Sequence, residues 1–298
     1  MHAPPVHGNF RRYYGMRSAR AAQAASVDRM DERVAALLKW YNSQRGDVRA
    51  PERVLDVGCN AAKPLIELCQ HADPPLERAV GVDIDPVLVS DAKAAVRAAW
   101  SQMQPDVPGS QEGAADYFPA CFATHLGPLA LPPGPARGFP KCIALYEADW
   151  VTHDCAPLAH EDALGYDLIL CFSLTKWIHL NQGDGGLVRF LHRLCACLRP
   201  GGILALEVQP WRSYDQARSV SRDLRQAYAA LRLYPDDMEY VLGVFGLIPL
   251  GPVAVGTGYG FRRPVLLYQQ PAPAPTLLPP PHPGSLGWPW APRNPKIS

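Results

Sequence analysis

The chain reads as an α/β protein of the Rossmann-like, doubly wound type, a mostly parallel sheet with helices on both faces. Three observations predict it. Apolar strand-like runs alternate with helical periodicity along most of the 298 residues, and that alternation builds a parallel sheet covered on both sides. The run Arg53 to Asn60, RVLDVGCN, ends in a tight glycine turn, and VGVDID at Val80 to Asp85 ends in an acid. Asp83 follows Asp56 by about 27 residues, the span of one βαβ step. The run Tyr166 to Phe172, YDLILCF, is apolar on both faces, as a central parallel strand requires.

Taken in order, residues 1–27 form a basic and aromatic segment, NFRRYYGMR at Asn9 to Arg17, expected to contribute to a site. From about Asp28 to Tyr41, Met30, Val34, Leu37, Leu38 and Tyr41 recur at helical spacing. A strand follows at Val54 to Val57, then a helix from Pro64 to His71, whose proline suits a first turn where no N–H is needed. Ala79 to Val82 is the second strand. Asp85-Pro86 opens a helix through about Ala99, with Val87, Val89, Ala92, Val96 and Ala99 for its buried side. Residues 101–140 lose periodicity to Gly, Pro and small side chains and read as an insertion or long loop. A strand resumes at Lys141 to Tyr146, and Tyr166 to Phe172 is the next. Ser173 to Gly185 is expected as a loop, Gly186 to Leu198 as a helix stopped by Pro200-Gly201-Gly202, and Ile203 to Val208 as a strand. Ser219 to Leu231 is helical. Within Pro252 to Gln269, PVAVGTGY and RRPVLLYQ read as a closing antiparallel pair. The expected organisation is a segment 1–27, one domain over 28–270 with its insertion at 101–140, and a Pro-rich tail over 271–298 that is too poor in apolar periodicity to pack.

The bulk numbers narrow the function. A hydrophobic fraction of 48% supports a real core, and a formal charge of +1 gives no global pull on nucleic acid, so any polyanion site is a local patch. No apolar run follows Met1 that would serve as a secretory leader, and no stretch approaches the roughly 20 apolar residues that span a bilayer. The 8 cysteines form no C-x-x-C pair and no zinc-spaced Cys/His cluster, so no metal is expected. Several lie inside apolar runs and read as small core residues of a reducing compartment.

The turn after the first strand carries chemistry. Gly58 lets the backbone approach a ligand without a Cβ in the way, and Asp83 is placed to accept from both ribose hydroxyls. A dinucleotide site wants G-x-G-x-x-G to hold a pyrophosphate. This chain offers Gly58-Cys59-Asn60-Ala61-Ala62. That composition suits a nucleoside without phosphate, and S-adenosylmethionine is the expected cofactor.

A second constellation, SLTKWIHLNQGDG at Ser173 to Gly185, follows the central strand and so falls at the carboxyl edge of the sheet, where α/β folds bind ligands. Lys176 and His179 are read as functional, and Trp177 as a core plug. Glu207 and Gln209, just after the last parallel strand, either order a loop or touch substrate. Arg11-Arg12 and Arg262-Arg263 read individually as solvated charge or, together, as a path for a polyanion. Trp211 and Tyr259 are candidate stacking platforms.

In sequence order, GNFRRYYGMR, VLDVGCN, GVDIDPVLV, LCFSLTKWIHLNQGDGGL, LRPGGILALEVQPWRSY and GFRRPVLLY resemble the Bicoid-interacting methyltransferases, the methylphosphate capping enzymes of RNA. The resemblance covers roughly residues 8 to 268 with gaps in 101–140. It implies a class I methyltransferase fold with a seven-stranded sheet and an antiparallel end. It further implies methyl transfer from S-adenosylmethionine to the 5′-terminal phosphate of an RNA. The cofactor contacts it implies are Tyr13, Arg33 (with Arg29 competing), Gly58, Cys59, Asn60, Asp83, Ile84, Asp149, Trp150 and Phe172. The phosphate contacts are Tyr13, Arg17, Lys176 and His179. Asp149-Trp150 replaces an Asn-Tyr pair, and Ala62 stands where the family has glycine. The monophosphate branch tends to carry Met at the position of Lys176, so the resemblance favours a triphosphate end. A phosphate oxygen is already anionic near neutral pH, with a second pKa of about 6, so the protein needs positioning and charge neutralisation rather than an acid–base pair. The alternatives are a monophosphate-directed enzyme, a small-molecule or protein methyltransferase, and a silent RNA-binding protein. A nuclear monomer with ribonucleoprotein partners, no membrane association and a cytoplasmic pool completes the expectation.

Overall fold

The structure, a computed structural model, describes residues 7–10, 13–14, 30–44, 48–102, 127–131, 137–152, 155–253 and 263–272. Helix α1 (Glu32–Ser43) begins at Asp31, whose side chain accepts from the Arg33 N–H and supplies one of the partners a helix start lacks. Then come β1 (Arg53–Val57), α2 (Lys63–His71), β2 (Arg78–Asp83), α3 (Pro86–Gln102) and β3 (Ile143–Glu147). The second half holds α4 (Ala156–Leu164), β4 (Tyr166–Phe172), α5 (Thr175–Cys197), β5 (Leu198–Glu207), α6 (Arg212–Ala217), α7 (Arg222–Ala230), α8 (Asp237–Val244), β6 (Ile248–Val253) and β7 (Val265–Gln269).

The seven strands lie in the order β3-β2-β1-β4-β5-β7-β6. The first five are parallel, and β7 is antiparallel to both β5 and β6. This is the mostly parallel sheet with an antiparallel end that was expected. The chain builds outward from β1 to β3, then returns to β4 beside β1. That reversal opens a crevice at the carboxyl ends of the two strands, the switch point where such sheets bind ligands.

Period-two alternation splits the core between two faces. Leu55, Ile169, Cys171, Leu204 and Leu206 pack with Leu187, Leu191 and Leu194 of α5 and Leu242 of α8. Val54, Leu168, Leu170 and Ala205 pack with Val34 and Leu37 of α1, Leu65 and Leu68 of α2, and Ala92 of α3. Seven cysteines among the described residues are free thiols, six of them buried. Among the described residues no helix is long and apolar enough to cross a membrane.

Several elements differ from the sequence expectation. The segment expected as a loop after β4 is the first half of α5, which absorbs a kink at Gly183 (φ 66°, ψ −173°) and continues to Cys197. Strand β5 starts at Leu198 and runs through Pro200-Gly201-Gly202 instead of resuming after it. Helices α4, α6 and α8 were not expected. Strand β6 is IPLGPV, four residues upstream of the expected PVAVGTGY, most of which lies outside the described residues. Pro249 and Pro252 are tolerated because β6 is an edge strand. Most of the insertion, and the tail from residue 273, also lie outside the described residues.

Leu194 is 0% exposed between α5 and the sheet, whereas Leu164 is 46% exposed. Leu194→Ala is therefore expected to lower urea-unfolding stability by about 2–5 kcal/mol, and Leu164→Ala by no more than about 0.5 kcal/mol. Equal losses would contradict this packing.

Candidate active site

A cleft of about 490 Å³ opens at the carboxyl ends of β1, β2 and β4, within the ~300–1,000 Å³ range of small-molecule sites. Its first half is built by the β1 and β2 turns. Gly58 has φ +72°, a left-handed conformation that favours glycine, and a Cβ there would stand 3.0 Å from Leu174. The N–H groups of Gly58 and Cys59 both donate to the Val82 carbonyl, at 2.8 and 3.1 Å, and strap the turn to β2. Asp83 accepts from the backbone N–H of Asn60 (2.9 Å) and of Asp85 (3.0 Å), one on each carboxylate oxygen. Each oxygen keeps a lone pair for a further donor such as a ribose hydroxyl.

Asp56 was used in the sequence only as a spacing marker, yet it lies on the cleft floor. It is 2% exposed, and its Oδ2 has no hydrogen-bond partner. Burial pushes this carboxyl up to about 7, with the Arg33 charge pulling against the shift and Asp83 adding to it. An orphaned buried carboxylate asks for a ligand. A nucleoside bearing an ammonium group, as S-adenosylmethionine does, fits Asp56 and Asp83 together.

The far wall holds Ile84, Asp149, Trp150 and Phe172. Trp150 is fixed by its Nε1–H to Asp162 (3.0 Å) and by Arg193 stacked 4.6 Å from its ring centroid. Asp149 accepts from the Val151 N–H at 3.0 Å and from Gln182 Nε2 at 3.2 Å. Phe172 lies under the Arg33 guanidinium, 4.4 Å from ring centroid to Cζ.

The second half of the cleft lies over β4 and β5. Ser173, with φ +58°, accepts on Oγ from Tyr13 Oη (3.0 Å) and from Arg263 Nη2 (2.5 Å) and donates to Glu207 (2.9 Å). Glu207 is 0% exposed and also holds Arg33, at 2.7 Å. Arg33 donates as well to Asp31, at 2.9 Å from Nε and 2.7 Å from Nη2. Gln209 accepts from Thr175 Oγ1 (3.0 Å) and the Lys176 N–H (3.2 Å) and donates to the Ser173 carbonyl. Of the two roles open to it, ordering the start of α5 is the one this geometry supports.

Near the amino terminus, His7, Gly8, Asn9, Tyr13 and Tyr14 line the cleft mouth. Asn9 donates to Asp85 (2.7 Å), the Phe10 carbonyl accepts from Asn60 Nδ2 (3.2 Å), and the Phe10 ring meets Trp177 edge-on at 6.0 Å. Gly8 is required here, since a Cβ would fall 2.2 Å from the Trp177 indole nitrogen.

Of the residues singled out in the sequence, the cleft gathers Tyr13, Arg33, Gly58, Asn60, Asp83, Ile84, Asp149, Trp150 and Phe172. Cys59 turns its thiol into the core and offers its carbonyl to Tyr14 Oη (3.4 Å). His179 does not reach the cleft. It is 0% exposed, its Nε2–H donates to Asp184 (2.8 Å), and its Nδ1 faces Tyr214 Oη at 3.3 Å. Lys176 lies behind the wall, its Nζ 3.4 Å from the Ser213 carbonyl and 4.6 Å from the Trp177 ring centroid. Burial, then the Arg263 charge, lowers its ammonium to about 8. Trp177 is part of the cleft wall as well as a core residue. Trp211 is no open platform, because Tyr214 and Tyr228 stack on it at 4.8 and 5.0 Å. Arg11, Arg12, Arg17, Arg29, Tyr259 and Arg262 lie outside the described residues. Sequence reasoning missed Asp56, Tyr14, Asn181, Gln182 and Arg189 as cleft residues. Only Asp56 carried a signal, as the acid two positions before the turn glycine.

A family model described as Bicoid-interacting protein 3 matches residues 166–270. The chain is 32% identical to the 7SK snRNA methylphosphate capping enzyme of Mus musculus over 89% of this chain and 40% of that protein. It is 29% identical to the U6 snRNA methylphosphate capping enzyme Amus of Drosophila melanogaster, over 88% of this chain and 74% of that protein. Against the pre-miRNA 5′-monophosphate methyltransferase of Xenopus laevis it is 30% identical over 58% of this chain and 54% of that one. The chain thus spans about two fifths of the length of the mouse and human 7SK relatives.

The Asp56 carboxyl titrates near 3.9 when unfolded and at about 7 when folded. The folded state therefore holds the proton more tightly. Its contribution is fully present below about pH 4 and lost as pH rises to about 7. The share that Asp56 contributes to the urea-unfolding stability of the ligand-free protein should fall across that window, and Asp56→Asn should remove that share, so that the variant's stability rises relative to the parent's between about pH 4 and 7. An unchanged slope in the variant would show that Asp56 is ionised in the folded protein.

Proposed function

We propose that this chain, whose residues 166–270 match the family model described as Bicoid-interacting protein 3, methylates the 5′-terminal phosphate of an RNA with S-adenosylmethionine as donor. The observation that carries this reading is the division of one cleft into two chemical halves. Carboxylates, Asp56 and Asp83, occupy the β1–β2 side. Hydroxyls, Tyr13 and Ser173, occupy the β4–β5 side, with Arg263 bonded to Ser173 behind them and Lys176 beyond. The first half suits a ribose and an ammonium group, the second a phosphate.

When bound, the cofactor supplies an electrophilic methyl group on a sulfonium. The chain's own residues then have to orient the acceptor and offset its charge. Asp83, Asp56 and the Gly58 turn hold the donor side; Trp150, Phe172 and Ile84 supply apolar walls around the base. On the other side Lys176 contributes a point charge, and Tyr13 Oη, which donates to Ser173 in this structure, has to turn its one proton to the phosphate to take part. Arg17 and His179 remain proposed phosphate contacts. For His179, that role requires α5 and α6 to part from the buried arrangement in which it bonds Asp184 and Tyr214. Arg33 is engaged with Asp31 and Glu207 and serves as the charged floor of the site. Lys176 favours the more highly charged triphosphate end. Placement in the nucleus with small nuclear RNA substrates follows the same reading.

The test is transfer of labelled methyl from S-adenosylmethionine to one short RNA bearing a 5′ triphosphate, monophosphate or hydroxyl end. Label confined to the triphosphate RNA is the expected outcome. Label mainly on the monophosphate RNA would assign the other branch, and label that ignores the 5′ end would overturn the reading.

The rate should rise through the second phosphate ionisation, at about 6, and fall as Lys176 loses its proton near about 8. Lys176→Arg should carry the alkaline limb to higher pH. Lys176→Met should remove that limb and cost about ten-fold or more in kcat/KM, the size of one charge-assisted hydrogen bond. A Lys176→Met profile identical to the parent would exclude the lysine from the site.

A further inference from the structure

We propose that Arg263 is a phosphate-binding and specificity-determining residue of the acceptor half, grasping the terminal phosphate together with Tyr13 and Lys176. The inference rests on the reading of the chain as a 5′-phosphate methyltransferase.

The topology delivers Arg263 to the right place. Because β7 runs antiparallel to β5, the chain entering β7 arrives at the edge where β5 ends. Arg263 sits two residues before β7, and Pro264 confines its backbone to extended conformations. Its side chain is 12% exposed, with Nη2 at 2.5 Å from Ser173 Oγ and 3.1 Å from Glu207 Oε1. Ser173 lines the cleft and receives Tyr13 on the same oxygen. The guanidinium therefore stands one side chain behind the cleft wall, over β4 and β5, opposite the Asp56 and Asp83 half.

The local charges point the same way. Arg33 and Arg263 share the Glu207 carboxylate, and Arg33 also holds Asp31. Glu207 is shared between Arg33 at 2.7 Å and Arg263 at 3.1 Å. The proximity of Arg263 contributes to the lowered Lys176 ammonium, after burial. An anion placed between the two relieves that repulsion. A planar guanidinium fork offers paired donors to a phosphate, which an ammonium does not.

The test uses the full chain with R263K and R263Q. R263K keeps a positive charge beside Glu207, so it preserves a purely structural role while losing the fork. The KM for the 5′-triphosphate RNA, kcat, S-adenosylmethionine affinity by calorimetry and the thermal midpoint are measured for each. The expected result is a KM raised about ten-fold or more in R263Q, as for one lost charge-assisted hydrogen bond. R263K should show a clearly raised KM with cofactor affinity and thermal midpoint at parental values. Parental KM in R263K, or a loss of cofactor affinity matching the rise in KM, would overturn the proposal. If the parent methylates no phosphorylated end, the functional reading fails by itself. Calorimetry with inorganic triphosphate then decides on Arg263: binding by the parent that R263K weakens supports the anion site, and equal binding by parent and variant overturns it.

Discussion

A carboxylate sealed from water, Glu207, sets the terms at the carboxyl edge of the sheet. It ends β5 with 0% exposure and is held by Arg33 of α1, by Arg263 at the approach to β7 and by the hydroxyl of Ser173. Breaking a buried pair by removing one partner typically costs about 3–5 kcal/mol, because the charge left behind has no water. Every group around Glu207 is therefore constrained. Arg33 cannot leave, so α1 is pinned against the sheet under the cleft. Ser173 must turn its hydroxyl inward, which goes with its left-handed backbone and the sharp exit of the chain from β4 into α5. Tyr13, bonded to the same hydroxyl, brings the amino-terminal residues over the cleft. The shape of the site follows as much from charge compensation as from apolar packing.

Strands β1 to β4 were legible because each is a short apolar run bounded by polar or glycine residues. Val54–Val57 and Tyr166–Phe172 are examples, and burial on both sides left no competing pattern. Helix α5 was legible only in its second half. Gly183, Asp184, Gly185 and Gly186 carry breaker chemistry, and a single residue off helical geometry absorbs it all. Trp177, Leu180, Leu187, Leu191 and Leu194 keep the buried spacing across that break, so tertiary packing overrides local propensity. Helix α8 was missed because it spans only eight residues, too few for periodicity to show.

For the site, local motifs could be read and long-range pairs could not. Gly58 and Asp83 belong to one βαβ step, and their roles follow from its geometry. Arg33 and Glu207 are 174 residues apart, and nothing in either neighbourhood announces the other. His179 shows the opposite failure. A histidine between apolar residues at a ligand-binding edge looks functional, but a carboxylate and a tyrosine hydroxyl satisfy both its nitrogens inside the fold. Burial with complete hydrogen bonding is a tertiary property, and the residue type does not reveal it.

Among the described residues strand β6 has one neighbour, β7, and Ile248 and Leu250 are 48% and 41% exposed. A row of open amides beside exposed apolar side chains is ordinarily a template on which another chain can add a strand. Here two of six positions, Pro249 and Pro252, have no amide hydrogen to offer, and the register with β7 shifts between Pro249 and Gly251. An incoming strand would find gaps where its carbonyls need donors. These prolines make the segment a poor seed for edge-to-edge polymerisation.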